Sequence, residues 1–269
     1  MNAPEQIVRE EASNTGYEGD QSRDPLIAGN SALSARIEPF DSYWQAPKDV
    51  AKGYRSFFAY YETNYLPHMP DDKDANILVV SCGPGYLVNM LRERGYTNVK
   101  GIDSDAEKIA HAASHKLNCE QAEAFPYLAK SSEMFDVILP EQELNHLTID
   151  EQFLFLDLCK QHLNPGGYLL VYGLNGANPM VGSQNLTDNI DHFNLFTEYS
   201  ITQTLETAGF HRIKPLPLKI YVFWKNPLNY VGLAITSVYE LYCRIMFKLY
   251  GKNVKILSKK IAALAYLDK

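Results

Sequence analysis

The sequence predicts an α/β fold: a doubly wound, mostly parallel seven-stranded sheet with an antiparallel last strand. A helical segment precedes it and a helical insertion precedes the last strand. Three observations carry this prediction. Short apolar runs at 76–81, 98–103, 135–140 and 168–174 alternate with stretches of helical periodicity, the mark of strand–helix–strand units with helices on both faces of a sheet. The first run ends in a glycine bend, Ser81-Cys82-Gly83-Pro84-Gly85. The second ends in an acid, Asp103.

Residues 1–36 are polar and acidic (Glu5, Glu10, Glu11, Glu18, Asp20, Asp24) and read as a flexible tail or lid. Residues 37–70 read as a helical cap crowded with aromatics, among them Tyr43, Trp44, Tyr54 and Tyr61, spaced to pack on the domain that follows; Pro67 and Pro70 close it. Residues 71–269 form the main domain. Strand 76–81 feeds a tight turn into helix 86–95, which Gly95 stops. Strand 98–103 leads to helix 105–116. Strand 135–140 precedes helix 149–163, stopped by Asn164-Pro165-Gly166-Gly167. Strand 168–174 and helix 197–210 follow.

Bulk properties exclude several classes. With 46% hydrophobic residues in 269, the chain can bury a substantial core. Its net charge of -7 argues against a nucleic-acid binder. Cys82, Cys119, Cys159 and Cys243 form no C-x-x-C pair, so neither a zinc ribbon nor a disulfide framework is suggested. A reducing, cytoplasmic setting is expected, and residues 1–14 lack the apolar core of a signal peptide. His111 and His115 sit one helical turn apart but have no third ligand in the pattern, so no metal is expected.

In open α/β sheets ligands bind beyond the C-terminal ends of the strands. Glycines there let a ligand approach the backbone, and the helix behind offers unpaired N–H groups. A carboxylate at Asp103 can accept hydrogen bonds from two ribose hydroxyls, each worth roughly 1.5–3 kcal/mol. Its alternative role is an N-cap for the next helix. A dinucleotide fingerprint wants a third glycine where Val88 stands, and Pro84 interrupts the turn. That disfavours NAD and suits a nucleoside without a pyrophosphate, such as S-adenosylmethionine (SAM).

The stretch 77–112 resembles motif I and the acidic ribose motif of class I SAM-dependent methyltransferases. Residues 135–147 resemble their motif IV, and 163–173 their L-x-P-G-G turn with its strand. The resemblance implies that Ser81, Cys82, Gly83, Pro84 and Gly85 line the methionine and ribose of SAM, and that Asp103 with Ser104 holds the ribose. It implies that Glu123 reads the adenine amino group, that Ala124 and Phe125 flank the ring, and that Pro140 and Glu141 lie near the sulfonium. Three positions depart from the family: Val79 replaces an acid, Ser81 a glycine, and Asn145 the glutamate before the histidine. A non-enzymatic interaction protein on the same fold is the alternative those departures leave open.

Methyl transfer to a hydroxyl needs a base, and histidine suits neutral pH. His192, in the loop before helix 197–210, is the first candidate; His146, after the fourth strand, is the second. Residues 175–200 resemble methyltransferases of bacterial polysaccharide clusters through Asn175, Pro179, His192, Phe196 and Thr197, and Tyr43-Trp44-Gln45-Ala46-Pro47 resembles the same group. This implies a sugar hydroxyl of a glycan or glycan precursor as acceptor, with Tyr43, Trp44 and Asn175 as substrate-binding residues. A small-molecule or natural-product O- or N-methyltransferase is the other enzymatic reading.

The last two strands of such sheets usually form a hairpin, here 211–223 and 255–267. Between them lies an apolar helix, 227–251, with a polar stripe of Ser237, Glu240, Arg244 and Lys248. Its charges argue against spanning a bilayer. Packing on its own domain or on a second copy in a homodimer competes with peripheral contact through 228–250 on the inner membrane face, where nearby lysines would meet anionic headgroups.

Overall fold

The computed structural model describes residues 47–141, 144–187 and 192–267. The expected tail, and Tyr43 and Trp44 of the cap, lie outside the described residues. The strands are β1 (Ile77–Val80), β2 (Val99–Asp103), β3 (Cys119–Gln121), β4 (Phe135–Pro140), β5 (Leu163–Leu174), β6 (His211–Pro217) and β7 (Lys260–Tyr266). They form one sheet in the order β3-β2-β1-β4-β5-β7-β6. β7 runs antiparallel to both its neighbours, and the other pairings are parallel. This is the expected fold.

β1 is an unbroken apolar run because both its faces are covered. Leu78 and Val80 enter one core with Phe125 and Leu128 of α4 (Ala124–Lys130), Phe155 and Leu156 of α5 (Ile149–Gln161) and Ile201 of α7 (Glu198–Thr207). Ile77 and Val79 enter the other. There they meet Tyr61 and Tyr65 of α1 (Pro47–Asn64), Leu87 and Met90 of α2 (Tyr86–Glu93), and Ala112 of α3 (Ala106–Ser114). α1 thus shares a core with the sheet. α6 (Gly182–Thr187) and α8 (Pro227–Leu249) complete the described α-helices.

Helix starts follow local chemistry. Thr148 and Glu151 form a reciprocal capping box at α5, and Asn226 caps α8 ahead of Pro227. Strand ends differ from expectation where side chains supplant the ladder. The strand expected over 211–223 stops at Pro217 because Asn64 of α1 takes both the N–H and the C=O of Lys219, at 2.7 and 2.9 Å. The strand expected from 255 starts at Lys260 because Asn175 and Asn178 claim the carbonyls of Ile256, Leu257 and Ser258. β5 begins at Leu163, ahead of the expected Tyr168, so the bend at Gly166 falls inside the strand.

Candidate cofactor and acceptor site

β1 delivers the chain to the C-terminal edge of the sheet, where Ser81, Gly83 and Gly85 take left-handed φ values of 56°, 54° and 79°. These turn the backbone into α2. Gly85 is required by packing: a Cβ there would lie 2.7 Å from Leu117 Cδ1 and 3.2 Å from Cys119 Sγ. Gly83 is the converse, since a Cβ there would meet nothing within 4 Å. It borders open space that a side chain would fill and a ligand can use. Ser81 adopts its conformation without glycine's freedom, at a cost of roughly 1–2 kcal/mol. Cys82 is buried against Cys119, and that contact, with burial, pushes its thiol pKa up.

Asp103 ends β2 beside this bend. Its Oδ2 accepts the Gly83 N–H at 2.8 Å and its Oδ1 the Asp105 N–H at 3.0 Å. The N-cap role falls to Asp105, which accepts from Glu107 and Lys108. Asp103 is therefore not the cap. It ties the glycine bend to the tip of β2, with its carboxylate oriented by two backbone donors.

α1 closes over the same edge. The Tyr54 hydroxyl donates to the Pro84 carbonyl at 2.5 Å and that of Tyr86 to Val50 O at 2.9 Å. Tyr61 donates to Glu141 Oε2 at 2.6 Å. Burial, then the Glu141 charge, holds the Tyr61 hydroxyl well above its usual pKa of 10.0, so it remains a donor. Glu141 is fixed further through its backbone, by Val80 at 2.7 Å and by the Tyr172 hydroxyl at 2.7 Å. The spacing of the aromatics predicted their packing. It did not reveal that their hydroxyls pin the glycine bend and the acid after β4; tyrosine rather than phenylalanine at 54 and 61 was the available signal.

Glu123 precedes α4, and its buried Oε2 accepts no hydrogen bond. A buried carboxylate oxygen of that kind calls for a donor such as an adenine amino group. Glu123 also borders an open cavity of about 660 Å³ along the β3 edge, with Lys100 and Tyr127. No residue of the glycine bend lines that cavity. Ala124 is half-buried. Phe125 turns into the core against Phe155, with ring centroids 5.8 Å apart, so it does not flank a ligand ring. Ser104 follows Asp103, and its carbonyl accepts from Gln121. Pro140 ends β4 opposite Val80.

The two candidate bases come together. The His146 and His192 rings lie 4.6 Å apart, edge to face. Asn145 builds this juxtaposition. Fully buried, it accepts the Leu174 N–H at 2.7 Å and donates to Asn194 O at 2.6 Å, while its carbonyl accepts from Phe193. It thereby joins the loop after β4 to the loop bearing His192. His146 is buried and His192 half-buried. His192 Nδ1 bonds the Asn185 carbonyl. A carbonyl only accepts, so Nδ1 carries the proton and Nε2 of the neutral ring is the basic nitrogen.

Asn175, expected to meet the acceptor, is 0% exposed. Its amide donates to Ile256 and Ser258 carbonyls and its oxygen accepts from Ala177. It latches the loop to the lead-in of β7 and does not line the cleft. His115 stacks on Tyr54 at 3.8 Å between centroids, and among the described residues no cluster of three or more metal-ligating side chains forms.

The fold and the glycine bend with its acid define a class I methyltransferase. Residues 52–214 match the family described as a methyltransferase domain. The chain belongs to that family. A SAM-dependent methyltransferase from Archaeoglobus fulgidus superposes with a TM-score of 0.60 at 17% identity, over 80% of this chain and 94% of that one. A phosphoethanolamine N-methyltransferase from Haemonchus contortus, solved with S-adenosyl-L-methionine, gives a TM-score of 0.52 at 13% identity, over 81% of this chain and 57% of that one. By sequence, the chain is 32% identical over 130 residues to a ubiquinone biosynthesis O-methyltransferase of Chelativorans sp., covering 44% of this chain and 50% of that protein. The chain thus spans about half the length of that relative.

Proposed function

We propose that the chain transfers a methyl group from SAM to a hydroxyl oxygen, with His192 as the general base. The observation that carries this reading is the arrangement at one sheet edge: the Asp103-bound glycine bend, and two histidines on adjoining loops beyond neighbouring strands. When bound, SAM supplies an electrophilic methyl carbon. The residues that would hold it fit: the open side of Gly83, the oriented carboxylate of Asp103 and the partnerless Oε2 of Glu123. Tyr61 and Glu141 would close the methionine end under α1. Orientation within such a cleft is worth roughly 7–11 kcal/mol of barrier. His192 Nε2 would take the acceptor proton, and the buried His146 ring behind it limits its rotation.

A sugar hydroxyl is the acceptor we infer from the 175–200 segment. Phenolic hydroxyls are a second reading, favoured by the relative named for O-methylation in ubiquinone biosynthesis. Incubation with methyl-labelled SAM and a panel of nucleotide sugars, lipid-linked glycans and catechols tests both. Label should enter one acceptor class and be released by treatments that cleave O-methyl but not N-methyl groups. Label in amines alone, or in no acceptor despite tight SAM binding, would defeat the proposal.

A further inference from the structure

Among the described residues α8 carries a long run of exposed apolar side chains, and the proposed methyl transfer does not use it. Only Asn229 and Cys243 along its length are buried. They sit on the side that docks, where the Asn229 oxygen accepts from Phe223 N at 3.2 Å and Gly232 lies against the Tyr221 ring. The opposite side carries Val231, Ile235, Val238, Tyr242, Ile245 and Leu249, each more than half exposed. Their alternating spacing of four and three residues keeps them on one helical face. Ala234 and Leu241, also exposed, widen that face beyond a two-position seam. Exposed Phe223 and Trp224 extend it at the N-terminal end and Tyr250 at the other.

Charge selects the occupant. From Lys219 to Lys260 every charged side chain except Glu240 is basic, in a chain whose net charge is -7. Glu240 is paired with Arg244 on the helix at 3.3 Å. Two copies of α8 laid parallel would bring the basic stretch from Arg244 to Lys260 against itself, and laid antiparallel would set it beside 227–239, which holds no charge; neither arrangement supplies an answering acid. An anionic surface meets the same lysines favourably. No helix among the described residues is long and apolar enough to cross a membrane, so the face is suited to lying in an interface rather than spanning it.

We propose that α8 is a docking helix that lies in the headgroup plane of a bilayer containing anionic phospholipid. The helix adjoins the acceptor side of the fold. The Met180 amide faces the Tyr239 hydroxyl, and Asn178 binds the Leu257 carbonyl just beyond α8. Docking therefore sets α6, which carries Asn185, the His192 partner, close to the membrane surface. This inference stands on the exposed face and its charge, independently of the methyl acceptor.

Vesicle sedimentation of the full chain tests it. One set of vesicles is pure phosphatidylcholine and the other has one part phosphatidylglycerol to two parts phosphatidylcholine. The chain should sediment with the second set and not the first, and less so as salt rises. Val238→Glu with Ile245→Glu should weaken partitioning at least about tenfold; both sites are exposed, and an unchanged melting temperature confirms an intact fold. Light scattering after size exclusion supplies the competing result. A dimer that the same pair of substitutions breaks would assign the face to a second copy and overturn the proposal. So would absence of binding to the anionic vesicles.

Discussion

At the scale of single residues, His192 bears the proposed chemistry and Ser81 the backbone strain beside it. With Nδ1 held by the Asn185 carbonyl, the other nitrogen of His192 is the one the proposed mechanism uses as base. His192→Ala should lower kcat roughly 10²–10⁴-fold, with SAM affinity unchanged by calorimetry. Under the same proposal His146→Ala should cost less, since that ring is buried against His192. If the two effects are reversed, the base has been misassigned. At Ser81 the left-handed φ of 56° lacks a glycine. Ser81→Gly should raise the thermal midpoint by an amount equivalent to about 1 kcal/mol or less, because glycine's added chain entropy offsets part of the relieved strain. A lowered midpoint would mean that the serine side chain contributes more than its strain costs.

At the level of elements, the site is held by side chains that lace loops to strands. Asn145 joins the loop after β4, the end of β5 and the loop before α7. Asn145→Ala should destabilise the fold by about 1–3 kcal/mol, because it leaves the buried Leu174 N–H without its acceptor; denaturant unfolding measures this. Gly85→Ala should also destabilise, through its φ of 79° and the Leu117 contact. Alternation of apolar runs made the central strands legible, since burial on both faces leaves a continuous signal at 77–80 and 135–140. β3 was not legible: it is three residues, Cys119–Gln121, largely polar and at the sheet edge. Nor was the end of β6, because a side chain 155 positions away in sequence, Asn64, replaces the ladder there. The place of Asp103 at a strand tip beside the glycine bend was legible in the sequence. The meeting of His146 with His192 was not, since it depends on a buried asparagine whose long-range bonds leave no periodic trace.

Across the whole molecule, part-buried tyrosine hydroxyls fasten α1 and the turn after it to the glycine bend and the sheet. Tyr54, Tyr61 and Tyr168 all have pKa values raised above 10.0, each chiefly by burial. In the unfolded chain these groups ionise near pH 10, while the folded chain keeps their protons. Stability is therefore full below about pH 10 and falls as pH rises above it. Chemical denaturation from pH 8 upward should show a declining midpoint beginning near the ordinary tyrosine pKa; a flat profile to pH 12 would contradict the burial of these hydroxyls. The proposed methyl transfer rests most on Asp103 holding the SAM nucleoside at the glycine bend. Calorimetric titration of SAM into the native chain and into Asp103→Ala and Asp103→Asn, each checked for an intact melt, tests it directly. The native chain should bind with one site. The alanine variant should weaken by roughly 100-fold or more and the asparagine variant by less, since loss of two ribose hydrogen bonds is at stake. Equal affinity in all three chains, or no binding by the native chain at millimolar SAM, would contradict it.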